Sequence, residues 1–195
     1  MIFGGIDLST KDKNKAICFI EKKKKFSIIF LKSKVSDEEI VYLVKKFKPV
    51  SVSIDAPLKW KNFVDRKEDK ILRKYLKKRK VKNVGVIPFY VKSMIELSKK
   101  GNFLYSKLKN ITRILETHPT ASIRINGFEG NYKKDKEELR KILKSLKHKF
   151  TNIEIIKNHN ELDALFCALF SLYYFKGKNI LVLRKKIPYG ILLKI

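Results

Sequence analysis

Acidic side chains are scarce in this chain, and four of them lie where the sequence pattern changes. Asp7, Asp55 and Glu116 each close or follow an apolar run of strand length, and Asp163 lies in the first turns of the most apolar helical segment. Ligand sites of open α/β sheets lie beyond the carboxyl ends of the strands. We therefore expect the first three acids to converge if their strands are parallel and adjacent. Asp163 joins them if its helix packs across the same end.

Clustered carboxylates require protons or a cation. Two of them about 4 Å apart repel by ~4 kcal/mol at an effective dielectric near 20. Oxygen ligands suit Mg²⁺ or Mn²⁺, and two such ions can activate water and stabilise the leaving oxygen of a phosphodiester. We predict a site for two Mg²⁺ or Mn²⁺ ions. Its predicted catalytic residues and metal ligands are Asp7, Asp55, Glu116 and Asp163.

Each acid taken alone also has a structural interpretation. Asp7 and Asp55 precede turn-like residues, where an aspartate can shape the chain. Glu116 can pair with a neighbouring lysine. Asp163 can stabilise a helix N-terminus through the helix dipole, although Asn160 is the better candidate for the cap.

The apolar periodicity predicts the elements that carry these acids. Strands are expected over 2–8, 15–20, 26–31, 50–54, 111–115 and 153–156, with a possible terminal hairpin over 180–183 and 191–193. Ser36 opens a capping box with Glu39 before a helix that Pro49 ends. Further helices are expected over 134–147 and 160–175, the second apolar on nearly every side.

A meander followed by α/β crossovers predicts an α/β fold with helices on both faces of a mixed sheet. A lysine-rich helical insertion, approximately 58–110, follows the fourth strand. We expect residues 1–195 to form a single domain.

The charge balance favours a polyanionic partner. Lysine and arginine number 46 against 19 acids, which gives a net charge of +27. A lysine-rich proteome adapted to heat is normally rich in glutamate too, so compositional bias explains this excess poorly. The predicted partner is nucleic acid, DNA or RNA. The candidate contacts are Arg66, Arg73, Lys74, Lys77, Lys78, Arg79, Lys133 and Lys134.

The sequence argues against a membrane protein and for the cytoplasm. Its longest nearly apolar run, 164–175, is shorter than the roughly 20 residues of a membrane span, and the N-terminus lacks signal-peptide features. No amphipathic helix with a bulky aromatic face favours membrane-surface binding. Cys18 and Cys167 lie in apolar segments without metal-ligand spacing, as is typical of buried thiols in a reducing compartment.

Four motifs around the acids occur in order along the chain. They are Gly5-Ile6-Asp7-Leu8-Ser9, Ser53-Ile54-Asp55-Ala56-Pro57, Glu116-Thr117-His118-Pro119 and Glu161-Leu162-Asp163-Ala164-Leu165. Together they resemble domain of unknown function family 429, whose members are described as predicted nucleases of RNase H-like fold. The resemblance implies an RNase H-like domain, with a mixed five-stranded sheet flanked by helices, and a metal-dependent nuclease. Arg66, Asp69 and Arg73 look like the family's Arg/Asp-rich helical stretch.

The segment from Pro119 to Lys136 also resembles the RuvC resolvases, more distantly. RuvC-like helices carry a second aspartate three residues before the last one, where this chain has Asn160. Either Glu161 substitutes for it or the second metal is held more loosely. RuvC-like proteins work as dimers, and the apolar tail 187–195 is a candidate dimer face.

Other functions use the same motifs. A nucleic-acid-binding protein without catalysis would keep the fold and the basic surface. The first motif also resembles the phosphate loop of the actin, Hsp70 and sugar-kinase ATPases, which normally need a second such domain and an adenosine motif that this sequence lacks.

Several side chains are accessory candidates. Ser9, His118, His159, Asn160 and Glu161 flank the acids, although a histidine near a strand end is as often a structural hydrogen-bonding residue. The aromatic residues of the insertion can stack on bases or form its small core, and the core is favoured. These aromatic residues are Trp60, Tyr75, Phe89 and Tyr90.

Overall fold

The computed structural model describes residues 1–59, 64–88 and 91–195. Within these ranges the chain forms seven strands and six α-helices. In chain order they are β1 (Ile2–Asp7), β2 (Ala16–Lys22), β3 (Phe26–Ser33), α1 (Asp37–Phe47), β4 (Ser51–Ile54), α2 (Lys67–Lys78), α3 (Lys92–Leu108), β5 (Arg113–Thr117), α4 (Pro119–Ile125), α5 (Lys136–Leu146), α6 (His159–Phe175), β6 (Ile180–Arg184) and β7 (Tyr189–Leu192).

The strands form one mixed sheet in the order β3-β2-β1-β4-β5-β7-β6. The first three strands are an antiparallel meander, β4 and β5 run parallel to β1, and β6 and β7 form an antiparallel hairpin beside β5. The α/β class is confirmed, and the first, fourth and fifth strands are parallel and adjacent as expected. The predicted strand count of five is wrong, because the hairpin extends the sheet to seven strands in the described chain.

Two predictions about the C-terminal part are corrected. Ile153–Ile155 is a 3₁₀ turn instead of a strand. The apolar tail is not a free dimer face, because β7 lies between β5 and β6 and its side chains Tyr189, Ile191 and Leu192 are buried.

Helices cover both faces of the sheet. The buried residues of α6 pack on one face, together with those of α5, and α1 and α3 pack on the other. A glycine sets the approach of α6: a Cβ on Gly5 would lie 2.1 Å from both the carbonyl oxygen of Ala164 and the amide nitrogen of Ala168. The backbone of α6 therefore contacts β1 directly. The contact involves Ala164, one residue after Asp163, and Gly5, two residues before Asp7.

The helix caps confirm one prediction and correct another. The Ser36 hydroxyl accepts the Glu39 amide at 3.1 Å, so α1 begins where the capping box predicted. The cap of α6 is Asn158, whose side chain accepts the amide of Glu161 at 3.0 Å. Asn160 therefore lies inside the helix.

The insertion is helical as predicted, with α2 and α3 in its described part. Leu72 and Leu76 of α2 pack against Tyr189 and Ile191, and Tyr75 lies partly buried beside them. Tyr75 thus belongs to the small core of this region. Trp60, Phe89 and Tyr90 lie outside the described residues. Among the described helices, none is long and apolar enough to cross a membrane.

Candidate active site

Three of the four predicted acids come together at the carboxyl ends of β1 and β4. Asp7 ends β1, and the amide of Asp55 donates to the carbonyl of Ile6 at 3.0 Å, which continues the β1–β4 ladder. The two aspartates are therefore neighbours. Helix α6 rests on Gly5 and brings Asp163 to the same place.

The three carboxylates interact electrostatically. Burial raises the pKa of Asp7 well above its usual value, and the charges of Asp163 and Asp55 raise it further. Burial likewise raises the pKa of Asp55 to about 7, against the lowering effect of Lys133 and with a further contribution from Asp163. Full ionisation of the cluster is therefore unfavourable, and Asp7 and Asp55 hold their protons more tightly than a free aspartate does.

Two adjacent side chains hold Asp163. The Tyr132 hydroxyl donates to Oδ1 at 2.7 Å, and Lys133 Nζ lies 3.0 Å from Oδ2. Lys133 is the cation of the cluster: although its partial burial lowers its pKa, the carboxylates of Asp163, Asp55 and Asp7 raise it overall. Sequence reasoning selected Lys133 as a surface contact and missed Tyr132, whose position beside it was the available signal.

Glu116 lies in a different network. It pairs in register with Ile54, so its side chain shares the face of Ile54, whereas the next residue, Asp55, points to the other face. Its carboxylate accepts Arg66 Nη1 at 2.6 Å, Arg184 Nη2 at 2.7 Å and the Leu58 amide at 3.0 Å. The structure thus places Glu116 among arginines instead of a lysine. It lines the same cavity as Asp55, and its charge helps to raise the pKa of Asp55.

Arg66 is the centre of this second network. Its Nε and Nη2 donate to the Asp69 carboxylate at 2.6 and 2.9 Å, and the Tyr189 hydroxyl donates to Asp69 at 3.1 Å. Arg66 and Asp69 are each 3% exposed. Arg66 therefore ties the insertion to the end of β5. Its guanidinium, predicted to contact nucleic acid, is buried among carboxylates. Arg184, on β6, was missed because nothing local in the hairpin sequence distinguishes it.

The other predicted contacts lie at the surface, apart from Arg73. Its guanidinium contacts the Asp65 carboxylate and donates to the Val86 carbonyl at 3.2 Å, which fastens the insertion loop to α2. The exposed side chains are Lys74, Lys77, Lys78, Arg79, Lys133 and Lys134.

The accessory candidates have mainly structural contacts. His118 Nδ1 accepts the Ala121 amide at 3.3 Å as the cap of α4, and burial lowers the pKa of His118 to about 4, helped by Lys133. His118 is therefore neutral near pH 7. The Ser9 hydroxyl accepts the Lys11 amide in a turn. His159, the first residue of α6, is half-buried, and burial lowers its pKa.

Glu161 is not positioned to replace the missing aspartate. Its two carboxylate oxygens accept the Ser33 hydroxyl at 2.9 Å and the Lys157 amide at 2.6 Å. These bonds fasten the start of α6 to β3. Asn160 is one helical turn before Asp163 and half-buried.

The donor chemistry of the aspartate cluster fits a hard divalent cation. In the present arrangement Lys133 pairs with Asp163. No side-chain hydrogen bond from the described residues contributes to the pKa shifts of Asp7 and Asp55, so their oxygens are available as ligands. In the described part of the chain no three His, Cys, Asp or Glu side chains are close enough to hold a metal ion.

Two cavities adjoin the cluster, and Lys133 borders both. One, of about 180 Å³, has apolar walls from the insertion, including Val86, Met94 and Leu97, and reaches Asp55. The other, of about 250 Å³, lies between the start of α4 and the loop before α5.

The fold is similar to that of RuvC. The structure of T. thermophilus RuvC in complex with Holliday junction substrate has a TM-score of 0.54 and 10% identity, covering 98% of this chain and 100% of the RuvC chain. A second Thermus thermophilus RuvC structure has a TM-score of 0.50 and 11% identity, with the same coverage. These likenesses establish an RNase H-like fold of RuvC type.

The chain belongs to the family DUF429, described as a protein of unknown function, which it matches over residues 5–185. The resemblance inferred from the four motifs is thereby confirmed. No curated protein gives a significant match to the sequence.

Proposed function

We propose that this protein is a metal-dependent nuclease that hydrolyses phosphodiester bonds of DNA or RNA. The observation that carries the proposal is the cluster of Asp7, Asp55 and Asp163 at the carboxyl ends of two parallel strands, in a chain of net charge +27. Asp7 and Asp163 are buried, and Asp55 is half-buried. A basic surface attracts nucleic acid, and neighbouring carboxylates suit a divalent cation.

The three aspartates share one role in this proposal, and Tyr132 supports it. Asp7, Asp55 and Asp163 would hold Mg²⁺ or Mn²⁺, which when bound supplies an activated water and stabilises the leaving oxygen. Tyr132 orients Asp163 through its 2.7 Å hydrogen bond. Because ligands bind metals in their deprotonated form, the raised pKa values of Asp7 and Asp55 make metal binding stronger as pH rises.

Glu116 has a positioning role in place of the ligand role expected from sequence. Its bonds to Arg66 and Arg184 join β5, the insertion and the terminal hairpin directly beside Asp55. The network thereby fixes the end of the sheet next to the residues that would hold the metal.

The exposed cations of α2 and of the loop before α5 would bind backbone phosphates. One RuvC structure of this fold is a complex with a Holliday junction, which supports nucleic acid as the partner here. Affinity should fall with salt, with a log–log slope of roughly −0.7 to −0.9 per phosphate contact. The homodimer implied by the RuvC resemblance stays a prediction without an assigned face.

The direct test is cleavage of labelled single-stranded, duplex and branched DNA and RNA in Mg²⁺, Mn²⁺ or EDTA. Asp7→Asn should abolish a metal-dependent activity. Glu154→Gln makes the same charge change at an exposed site and should retain it. Cleavage that survives Asp7→Asn would contradict the proposal.

A nucleic-acid-binding protein without catalysis is the second candidate. The contact between Lys133 and Asp163 favours it, because the ammonium already neutralises one member of the cluster. Salt-sensitive binding without cleavage in either metal would select this alternative.

A further inference from the structure

The cavity of about 250 Å³ beside Lys133 has the composition of an anion site. Its walls are two cations and three neutral hydrogen-bond donors, and no acid is among them. They are Asn83, Thr120, Arg124, Asn131 and Lys133. The space exceeds that of one water, about 30 Å³, so it admits a hydrated tetrahedral anion.

The buried side chain of Arg124 indicates that the cavity binds a ligand. It is 95% buried, being 5% exposed. Its Nη1 donates to the Phe128 carbonyl at 2.8 Å and to the Gly130 carbonyl. Its buried Nε has no hydrogen-bond partner among the described residues. A buried guanidinium with an unused N–H group is costly, and an anion in this cavity would reduce the cost by supplying an opposite charge.

The cavity is coupled to the aspartate cluster through two side chains. Lys133 lines it while contacting Asp163 at 3.0 Å. The Arg124 guanidinium lies 5.6 Å from the ring centre of Tyr132, whose hydroxyl donates to Asp163. A group bound here is therefore next to the cluster but separated from it by Lys133.

We propose that this cavity is a phosphate subsite, which binds a backbone phosphate adjacent to the one at the aspartate cluster. The identity of the phosphate as part of a nucleic acid rests on the proposed function. The affinity for phosphate itself does not, because the cavity contains no proposed metal ligand.

The chain offers a matched pair of variants for the test. Asn83 and Asn179 have φ values of 57° and 58° and are both exposed, and aspartate tolerates this conformation as asparagine does. Asn83→Asp places a negative charge on the cavity wall, whereas Asn179→Asp makes the same change near β6. Asn131→Asp is a second variant of the wall that leaves the buried Arg124 intact.

The first experiment titrates inorganic phosphate in EDTA at constant ionic strength and follows the Arg124 Nε–H and the asparagine side-chain amides by ¹H–¹⁵N NMR. We expect saturable shifts at Arg124, Asn83 and Asn131. Asn83→Asp and Asn131→Asp should each weaken binding about fivefold, the effect of about 1 kcal/mol between charges near 4 Å in water. Asn179→Asp should leave it nearly unchanged. A non-saturable response, or equal losses in Asn83→Asp and Asn179→Asp, would overturn the proposal.

The second experiment identifies the source of the phosphate by measuring the anisotropy of a labelled oligothymidylate in EDTA. Asn83→Asp should weaken binding by at least about threefold relative to Asn179→Asp. If Asn83→Asp weakens the binding of inorganic phosphate but not of the oligothymidylate, the site binds free phosphate and the assignment to the nucleic-acid backbone is wrong. Both experiments omit metal, so failure of the cleavage assay leaves their outcomes unaffected.

Discussion

Two groups of carboxylates lie side by side at the end of the sheet. Arginines surround one group, whereas the other has few partners of opposite charge. Glu116 and Asp69 are buried and accept bonds of 2.6–3.1 Å from Arg66, Arg184, the Tyr189 hydroxyl and the Leu58 amide. In the aspartate cluster, Asp163 is held by Tyr132 and Lys133, whereas Asp7 and Asp55 have strongly raised pKa values.

This difference distinguishes the carboxylates that stabilise the fold from those that are candidates for function. Carboxylates that are matched by arginines stabilise the fold and have little left to offer a ligand. Carboxylates kept close to one another with a single lysine cost stability, and such arrangements are concentrated at functional sites. Substitutions in the two groups should therefore have opposite effects on stability.

The largest expected effect is that of Glu116→Ala. It leaves Arg66 and Arg184 without their shared partner, and breaking a buried ion pair costs about 3–5 kcal/mol. Urea unfolding in EDTA should show this loss. Asp7→Asn, measured in the same way, should leave stability unchanged or increase it, because it removes a repelling buried charge. The comparison fails if Asp7→Asn is the more destabilising variant.

The second expected effect tests what brings α6 to the cluster. Gly5→Ala places a Cβ 2.1 Å from the backbone of α6, and such overpacking costs about 1–3 kcal/mol or more. Since α6 must move, the Tyr132–Asp163 pair should also shift, and the proposed metal affinity should fall. Calorimetric titration with Mn²⁺ and urea unfolding measure the two effects.

Gly85→Ala is the control for this substitution, because its Cβ would meet only Ile87, at 4.0 Å. It should change stability and metal affinity little. Equal behaviour of the two alanine variants would show that α6 is not held by contact with Gly5.

Much of the arrangement at the carboxyl ends of β1, β4 and β5 could be predicted from the sequence. Apolar runs ending in Asp7 and Asp55, and the apolar helix carrying Asp163, were enough to predict that these acids meet. The expected position of Glu116 differs by one residue, since it lies one residue before the end of β5. Because side chains alternate between faces, that offset turns its carboxylate to the other side of the sheet.

The contacts that could not be predicted join side chains that are distant in sequence. Glu116 and Arg184 are 68 residues apart, and Tyr132 and Asp163 are 31 apart. No local pattern records such pairs, since they depend on which strand lies beside β5 and on how the loop before α5 crosses α6. The same reason explains why the hairpin's place in the sheet was not predicted.

A smaller effect concerns the pH dependence of stability. The pKa of Asp55, about 7, exceeds the value of about 3.9 in the unfolded chain. Between these values the native state binds more protons, so this group makes the free energy of unfolding fall as pH rises, and its contribution levels above about 7. The slope is at most about 1.4 kcal/mol per pH unit.

Urea unfolding in EDTA at about pH 5.5 and about pH 7.5 measures this slope. His118 contributes the opposite sign, because its pKa is lowered to about 4. The informative quantity is therefore the difference between the wild type and Asp55→Asn. Stability should fall more steeply with pH in the wild type, and parallel curves would show that Asp55 titrates normally.

The smallest expected effect concerns the exposed lysines, which should act on nucleic acid independently of the aspartate cluster. Lys77→Gln removes one exposed charge of α2 and should reduce the log–log salt slope of binding by about 0.7–0.9 if it contacts one phosphate. Lys45→Gln, on α1, makes the same change at another exposed position and should leave the slope unchanged. In EDTA, Asp7→Asn should also preserve the slope, because a buried carboxylate releases no counterion from the nucleic acid. If Asp7→Asn changed the slope as much as Lys77→Gln does, binding and the aspartate cluster would form one electrostatic unit instead of two.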